Sequence, residues 1–199
     1  MHTKIIAAAV LLMSAQAFAE DWTGPYAGVL AGTTGGGYSD EFYNFTLPYS
    51  GLSAGAFAGY RFETGNLITG IEVAGMISSM ERTEDILFTN TVMGMGAMAT
   101  ARAVIAYDTG TALPYFGLGA TVGEQRFISG AVGFGRDAEW HLGAHLAVGV
   151  DLPIKGDTFL RAEVNYTRFR DATYDLGRGT FTAWPTPQIG GLVGVGLKF

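Results

Sequence analysis

Hydrophobic and polar positions alternate along most of this chain with a period of two. From Trp140 to Leu152 the alternation never lapses: Trp140, Leu142, Ala144, Leu146, Val148, Val150 and Leu152 share one face, and His141, Gly143, His145, Ala147, Gly149 and Asp151 share the other. Side chains that change face at every residue predict a β-strand. The same rule predicts strands over Pro25–Thr33, Gly51–Phe62, Leu67–Ile77, Thr91–Tyr107, Pro114–Gly123, Thr158–Phe169 and Ile189–Phe199.

The connections between these eight segments alternate in length. Short turns are expected near 63–66, 108–113 and 153–157, and longer, more polar segments near 34–50, 78–90, 124–138 and 170–187. Short turns at one end and long loops at the other are the mark of an up-and-down transmembrane barrel. An even number of strands also returns both chain ends to the short-turn side.

The charges decide which face meets which solvent. Glu72, Arg102, Arg161 and Glu163 lie mid-strand on faces rich in glycine and alanine, and the opposite faces are nearly continuous Leu, Val, Ile and Ala. The interior of an eight-stranded barrel is only just wide enough for side chains. A few long charged chains among glycines fit there, whereas every large apolar residue of the other face would overfill it. The apolar face therefore points outward into lipid, and a closed barrel satisfies its backbone polar groups without water. The expected fold is all-β: an eight-stranded antiparallel up-and-down transmembrane β-barrel. Tyr26, Tyr60, Phe62, Tyr107, Phe116 and Phe199 fall near the short-turn ends and are expected to form an interfacial aromatic girdle.

Composition narrows the reading further. The 199 residues are 48% hydrophobic and 15% charged, with 30 glycines and no cysteine, which excludes a disulfide framework and a thiol nucleophile. The formal charge of −6 offers no basic patch for nucleic acid. The first residues, MHTKIIAAAVLLMSAQAFAE, combine Lys4, an apolar run over Ile5–Met13 and an A-x-A arrangement at Ala17–Ala19. Residues 1–19 are thus expected to be a cleaved secretory signal peptide and 20–199 the barrel domain. The apolar run is too short for a membrane-spanning helix, which needs about 20 residues.

Several stretches carry a resemblance. "DWTGPYAGVLAG" after the leader, "ARAVIAYDTGTALPYFGLGATVG" in the middle, "FLRAEVNYTRF" and the closing "GVGLKF" occur in that order. With them the chain resembles the small outer-membrane β-barrel proteins of Gram-negative bacteria, above all the porin-family surface antigens related to the opacity proteins and to the membrane domain of OmpA. The resemblance implies an integral protein of the cell outer membrane, in contact with outer-membrane lipid and lipopolysaccharide. It also implies that Gly194, Leu197 and Phe199, the fixed positions of a G-x-x-Φ-x-Φ ending, are read by the barrel-assembly machinery. The chain is expected to lack the peptidoglycan-binding domain of the two-domain OmpA plan. It implies no agreed chemical activity and leaves the oligomeric state open.

Candidate chemistry inside the barrel is sparse. Glu72, Arg102, Arg161 and Glu163 lie at similar distances from their short turns and are expected to form a luminal ion-pair network that plugs the barrel, with Arg102 bridging Glu72 and Glu163. His141 and His145, about 13 Å apart on an extended strand, are too distant to share a metal ion, and no metal or cofactor site is expected. "GLGATVG" at Gly117–Gly123 lies within a strand, so its glycines are expected to leave room for luminal arginines and tyrosines rather than to bind a dinucleotide. The sequons at Asn44 and Asn165 carry no weight in a bacterial protein. The favoured reading is a structural or surface-exposed barrel, not an enzyme, with a narrow or closed pore. The alternative is an outer-membrane lipid A or phospholipid acyl hydrolase or transferase, for which His141 with Ser129 is the available pair.

Overall fold

The structure is a computed structural model that describes residues 21–40, 45–86, 89–129, 136–170, 172–175 and 180–199, with side chains at 21–37, 48–80, 94–125, 140–170 and 186–199. The expected leader, residues 1–19, lies outside the described residues. The strands are β1 (Gly24–Asp40), β2 (Phe45–Thr64), β3 (Leu67–Ile86), β4 (Thr89–Tyr107), β5 (Leu113–Ser129), β6 (Arg136–Lys155), β7 (Thr158–Phe169), β8 (Ala172–Asp175) and β9 (Thr180–Lys198). Each long strand pairs antiparallel with the next, and β9 returns to β1 with Ala27 opposite Leu197 and Val29 opposite Val195. The four-residue β8 pairs only with the outer part of β9, beyond the point where β7 ends. Eight strands therefore close one barrel.

Two-residue turns join β2 to β3 and β6 to β7. Gly65 and Gly156 occupy them with φ of 63° and 58°, a left-handed conformation that other L-residues adopt only at a cost. The β4–β5 turn is built on side chains: Asp108 accepts a 2.7 Å hydrogen bond from the Gly110 amide, and Thr109 donates to the Ala112 carbonyl at 2.8 Å.

Alternation sorts the side chains as the sequence predicts. Ile71 and Val193 are each 65% exposed, whereas Glu72 and Arg161 are each 2% exposed. This inversion is stable only where the surrounding solvent is hydrocarbon. Tyr60, Phe62, Tyr107, Phe116 and Phe199 point outward near the short turns, where a girdle belongs. Tyr26 does not join them. Tyr26, Leu30 and the glycines between neighbouring positions face the lumen while Val29 and Ala31 face lipid, so Tyr26 is buried inside.

The strands also run further outward than expected. The polar stretches assigned to long loops continue the ladders: β3 and β4 stay paired from Met80 opposite Met95 to Ile86 opposite Thr89, and β5 and β6 from Gln125 opposite Glu139 to Ile128 opposite Arg136. Backbone hydrogen bonds hold a hairpin together whatever its faces meet. Above the lipid both faces can be polar, so the period-two signal fades while the pairing persists.

Candidate functional site

The lumen is filled in three layers, each set by the register of inward-facing residues. The floor, nearest the short turns, is apolar: Trp22, Ile68, Leu113 and Phe159 are buried there with Phe57 and Tyr26. Trp22 precedes β1 and turns into the barrel mouth, its ring meeting Phe159 edge-on at 6.0 Å. Lys198 caps it from outside, 4.7 Å from the indole centroid, and donates 2.9 Å to the Asp21 carbonyl.

The middle layer is ionic. Arg102 on β4 sits directly opposite Glu72 on β3. Its Nε and Nη2 donate to Glu72 Oε1 at 2.9 and 2.5 Å, and Nη2 also donates to Glu163 Oε2 at 2.6 Å. Arg161 on β7 donates to Glu72 Oε2 at 2.7 Å and, through Nε and Nη2, to Asp151 at 2.8 and 2.9 Å. Arg61 on β2 donates to Asp151 Oδ2. The result is one alternating chain of charge, Arg61–Asp151–Arg161–Glu72–Arg102–Glu163, in which cations and carboxylates balance.

Neutral groups complete it. Tyr26 and Tyr115 donate their hydroxyls to Glu72 and Glu163 at 2.8 and 2.6 Å. Arg61 Nε and Nη1 carry no hydrogen bond, and the guanidinium instead lies 4.1 Å from the Tyr26 ring centroid and 5.3 Å from that of Trp22. Arg161 stacks similarly over Phe57 at 4.1 Å. Glycine makes room for these long chains. A Cβ at Gly119 would approach the Arg102 Cα to 2.6 Å, and one at Gly149 the Tyr115 hydroxyl to 2.5 Å.

Among the described side chains, the outer layer is uncharged. Ser53 Oγ lies within hydrogen-bond distance of Thr34 Oγ1 at 3.0 Å and of Ser78 Oγ at 3.2 Å, Thr100 and Thr121 hydroxyls are 2.7 Å apart, and Gln188 donates to Met95 Sδ at 3.1 Å above them. His145 links this layer to the ions, with Nδ1 2.9 Å from Thr167 Oγ1 and Nε2 3.4 Å from Arg102 Nη1.

The structure thus brings Glu72, Arg102, Arg161 and Glu163 together, and adds Asp151, Arg61, Tyr26, Tyr115 and His145, which sequence reasoning left out. Asp151 and His145 were visible on the inward face of β6. Arg61 was visible too, but its nearness to the short turn masked its partner on β6. The pair considered for acyl chemistry is not assembled. His141 stands opposite Gly123, and Ser129 lies six residues further along β5 from Gly123, roughly 20 Å away along the strand. Ser129 is the end of that strand rather than part of a loop. Asn165 faces the lumen and donates to Glu163 at 3.3 Å; Asn44 lies outside the described residues. Leu197 and Phe199 face lipid, and Gly194 faces inward against β1.

A closed barrel with a lipid-facing exterior narrows the comparison to membrane families, and the family model of the outer membrane protein beta-barrel domain matches residues 5–184. The chain belongs to this family. It is an integral outer-membrane protein. It is 26% identical to the 25 kDa outer-membrane immunogenic protein of Brucella canis over 98% of this chain and 96% of that one. Among solved structures it is similar in fold to Neisserial surface protein A, with a TM-score of 0.57 at 17% identity, covering 89% of this chain and 98% of that one. The outer membrane protein OprG from Pseudomonas aeruginosa superposes with a TM-score of 0.59 at 14% identity, covering 89% and 96%.

Proposed function

We propose that this protein is a sealed outer-membrane scaffold that holds its extended outer hairpins at the cell surface, without catalysis and without a conducting pore. The observation that carries the reading is the continuous luminal filling: an apolar floor, a charge chain crossing the lumen between β2–β4 and β6–β7, and a hydroxyl layer above. A pathway for ions needs hydrated space, and here the arginines and carboxylates satisfy one another. The strands that outrun the lipid band, such as β3 and β4, give the surface part its rigidity. Likeness to an immunogenic outer-membrane protein fits a chain whose outer hairpins are displayed. During insertion, Gly194, Leu197 and Phe199 serve as the signal for the barrel-assembly machinery.

The full chain, folded and reconstituted in planar bilayers, is expected to give no discrete single-channel openings. Reproducible openings of defined size would overturn the sealed reading.

A further inference from the structure

The lipid-facing surface carries one feature that neither the luminal layers nor the display of hairpins uses. On β7, Thr167 and Phe169 face inward, so Arg168 points outward, and Arg170 follows on the same exposed side. Neither arginine side chain has an ionic or hydrogen-bonding partner among the described residues. Arg168 stands opposite Ala144 on β6, and the Arg170 amide bonds to the Leu142 carbonyl, so both lie beside an apolar column that ends in outward-facing Trp140.

Height identifies what surrounds them. Arg168 is ten residues beyond Thr158, at the start of β7. At about 3.3 Å per residue and a tilt near 40°, it lies roughly 25 Å above the short-turn side, the full height of the apolar band of such a barrel. The short turns face the periplasm, so the two arginines sit where acyl chains give way to headgroups in the outer leaflet. A guanidinium there, with no counter-ion among the described residues and beside Ala144 and Leu142, is stabilised by an anion from the lipid. The two side chains leave the strand about 7 Å apart and are long enough to converge on one phosphate, which guanidinium forks match geometrically. Trp140, 58% exposed, lies outward of them on the neighbouring strand, four residues beyond the Ala144 that faces Arg168.

We propose that Arg168 and Arg170 form a binding site for the phosphate of an outer-leaflet glycolipid of the lipid A class. The site needs only the outer-membrane orientation and stands whether or not the lumen conducts.

The purified full chain, folded in zwitterionic micelles, is titrated with diphosphoryl lipid A and with the same lipid after removal of its phosphates. The temperature of its heat-induced gel shift is then measured. Diphosphoryl lipid A is expected to raise that temperature by about 5 °C or more, and the dephosphorylated lipid to have little effect. The R168Q/R170Q variant is expected to keep the midpoint in micelles alone and lose the increment, and R168K/R170K to retain part of it. Because both positions face outward, folding of the double variant is checked by the same gel shift. The single R168Q change, with bound lipid A counted by native mass spectrometry, gives an independent reading. An undiminished increment in R168Q/R170Q, equal stabilisation by the dephosphorylated lipid, or undiminished lipid A bound to R168Q overturns the site.

Discussion

Arg102 is the residue on which the luminal chain turns, because among the described residues its guanidinium is the one that bonds to both Glu72 and Glu163. Truncating it leaves two buried carboxylates with fewer partners, and breaking a buried pair in this way costs about 3–5 kcal/mol. Arg102→Ala is accordingly expected to lose that order of stability in denaturant unfolding from micelles. Cycles pairing it with Glu72→Gln and with Glu163→Gln are expected to show coupling above about 0.5 kcal/mol in each case. Coupling near zero in both would mean that each charge is separately hydrated. At this scale the sequence was readable in part. Inward direction follows from parity alone, which suffices to place Glu72, Arg102, Arg161 and Glu163 in one lumen. The Arg102 bridge between Glu72 and Glu163 was expected and is present, whereas the link of Arg61 to Asp151 depends on side chains crossing the lumen between β2 and β6, and no periodicity within a strand encodes that. Tyr26 shows the complementary failure: position near a turn suggested an interfacial role, but its parity with Leu30 sends it inward.

The closing strand carries two requirements that can be separated. Gly194 is packed so closely against β1 that a Cβ would come within 2.2 Å of the Val29 carbonyl oxygen and 2.7 Å of Leu30 Cδ2. Backbone cannot yield cheaply, so Gly194→Ala is expected to cost about 1–3 kcal/mol and to lower refolding even in pure detergent. Phe199 is different: it is 74% exposed and tied to β1 by a single 3.0 Å bond from its amide to the Pro25 carbonyl. Deleting Phe199 is expected to leave refolding in detergent nearly unchanged yet to reduce folded protein in the outer membrane of cells, measured by heat-modifiable migration. Loss of refolding in detergent as well would make Phe199 a structural residue rather than a signal. Element order and type were legible from alternation, and β7 matched its expected span from Thr158 to Phe169. Strand length was not, since β3 runs to Ile86 through a polar stretch with no lipid-facing side to pattern it.

For the molecule as a whole, the proposed seal has two barriers in series, the floor and the charge chain. Among the described residues, Trp22, Phe159, Leu113 and Ile68 form a buried apolar cluster at the short-turn end that includes no contact with Arg102. Bilayer current through Arg102→Ala is therefore expected to stay at the level of the unaltered protein despite the loss of stability. A clear rise in current would show that the charge layer alone keeps the barrel shut. The interior was expected to hold charges among glycines, and it does, but the aromatic floor was hidden. Phe57, Phe159 and Trp22 read as ordinary apolar residues of strands or of a strand approach, and only closure shows that they converge on one mouth.

The charge chain also bears on timing. Three of its five links join residues distant in sequence: Arg61 and Asp151 are 90 apart, Arg161 and Glu72 89, Arg102 and Glu163 61. Neighbouring strands can zip as hairpins one after another, but most of these contacts wait until the sheet curls and β9 meets β1. Until that moment the same side chains form a water-loving surface on an open sheet, one that resists entering the bilayer. Closure both joins the last strands and neutralises the interior, so the step that completes the wall is also the step that makes the protein compatible with the membrane around it.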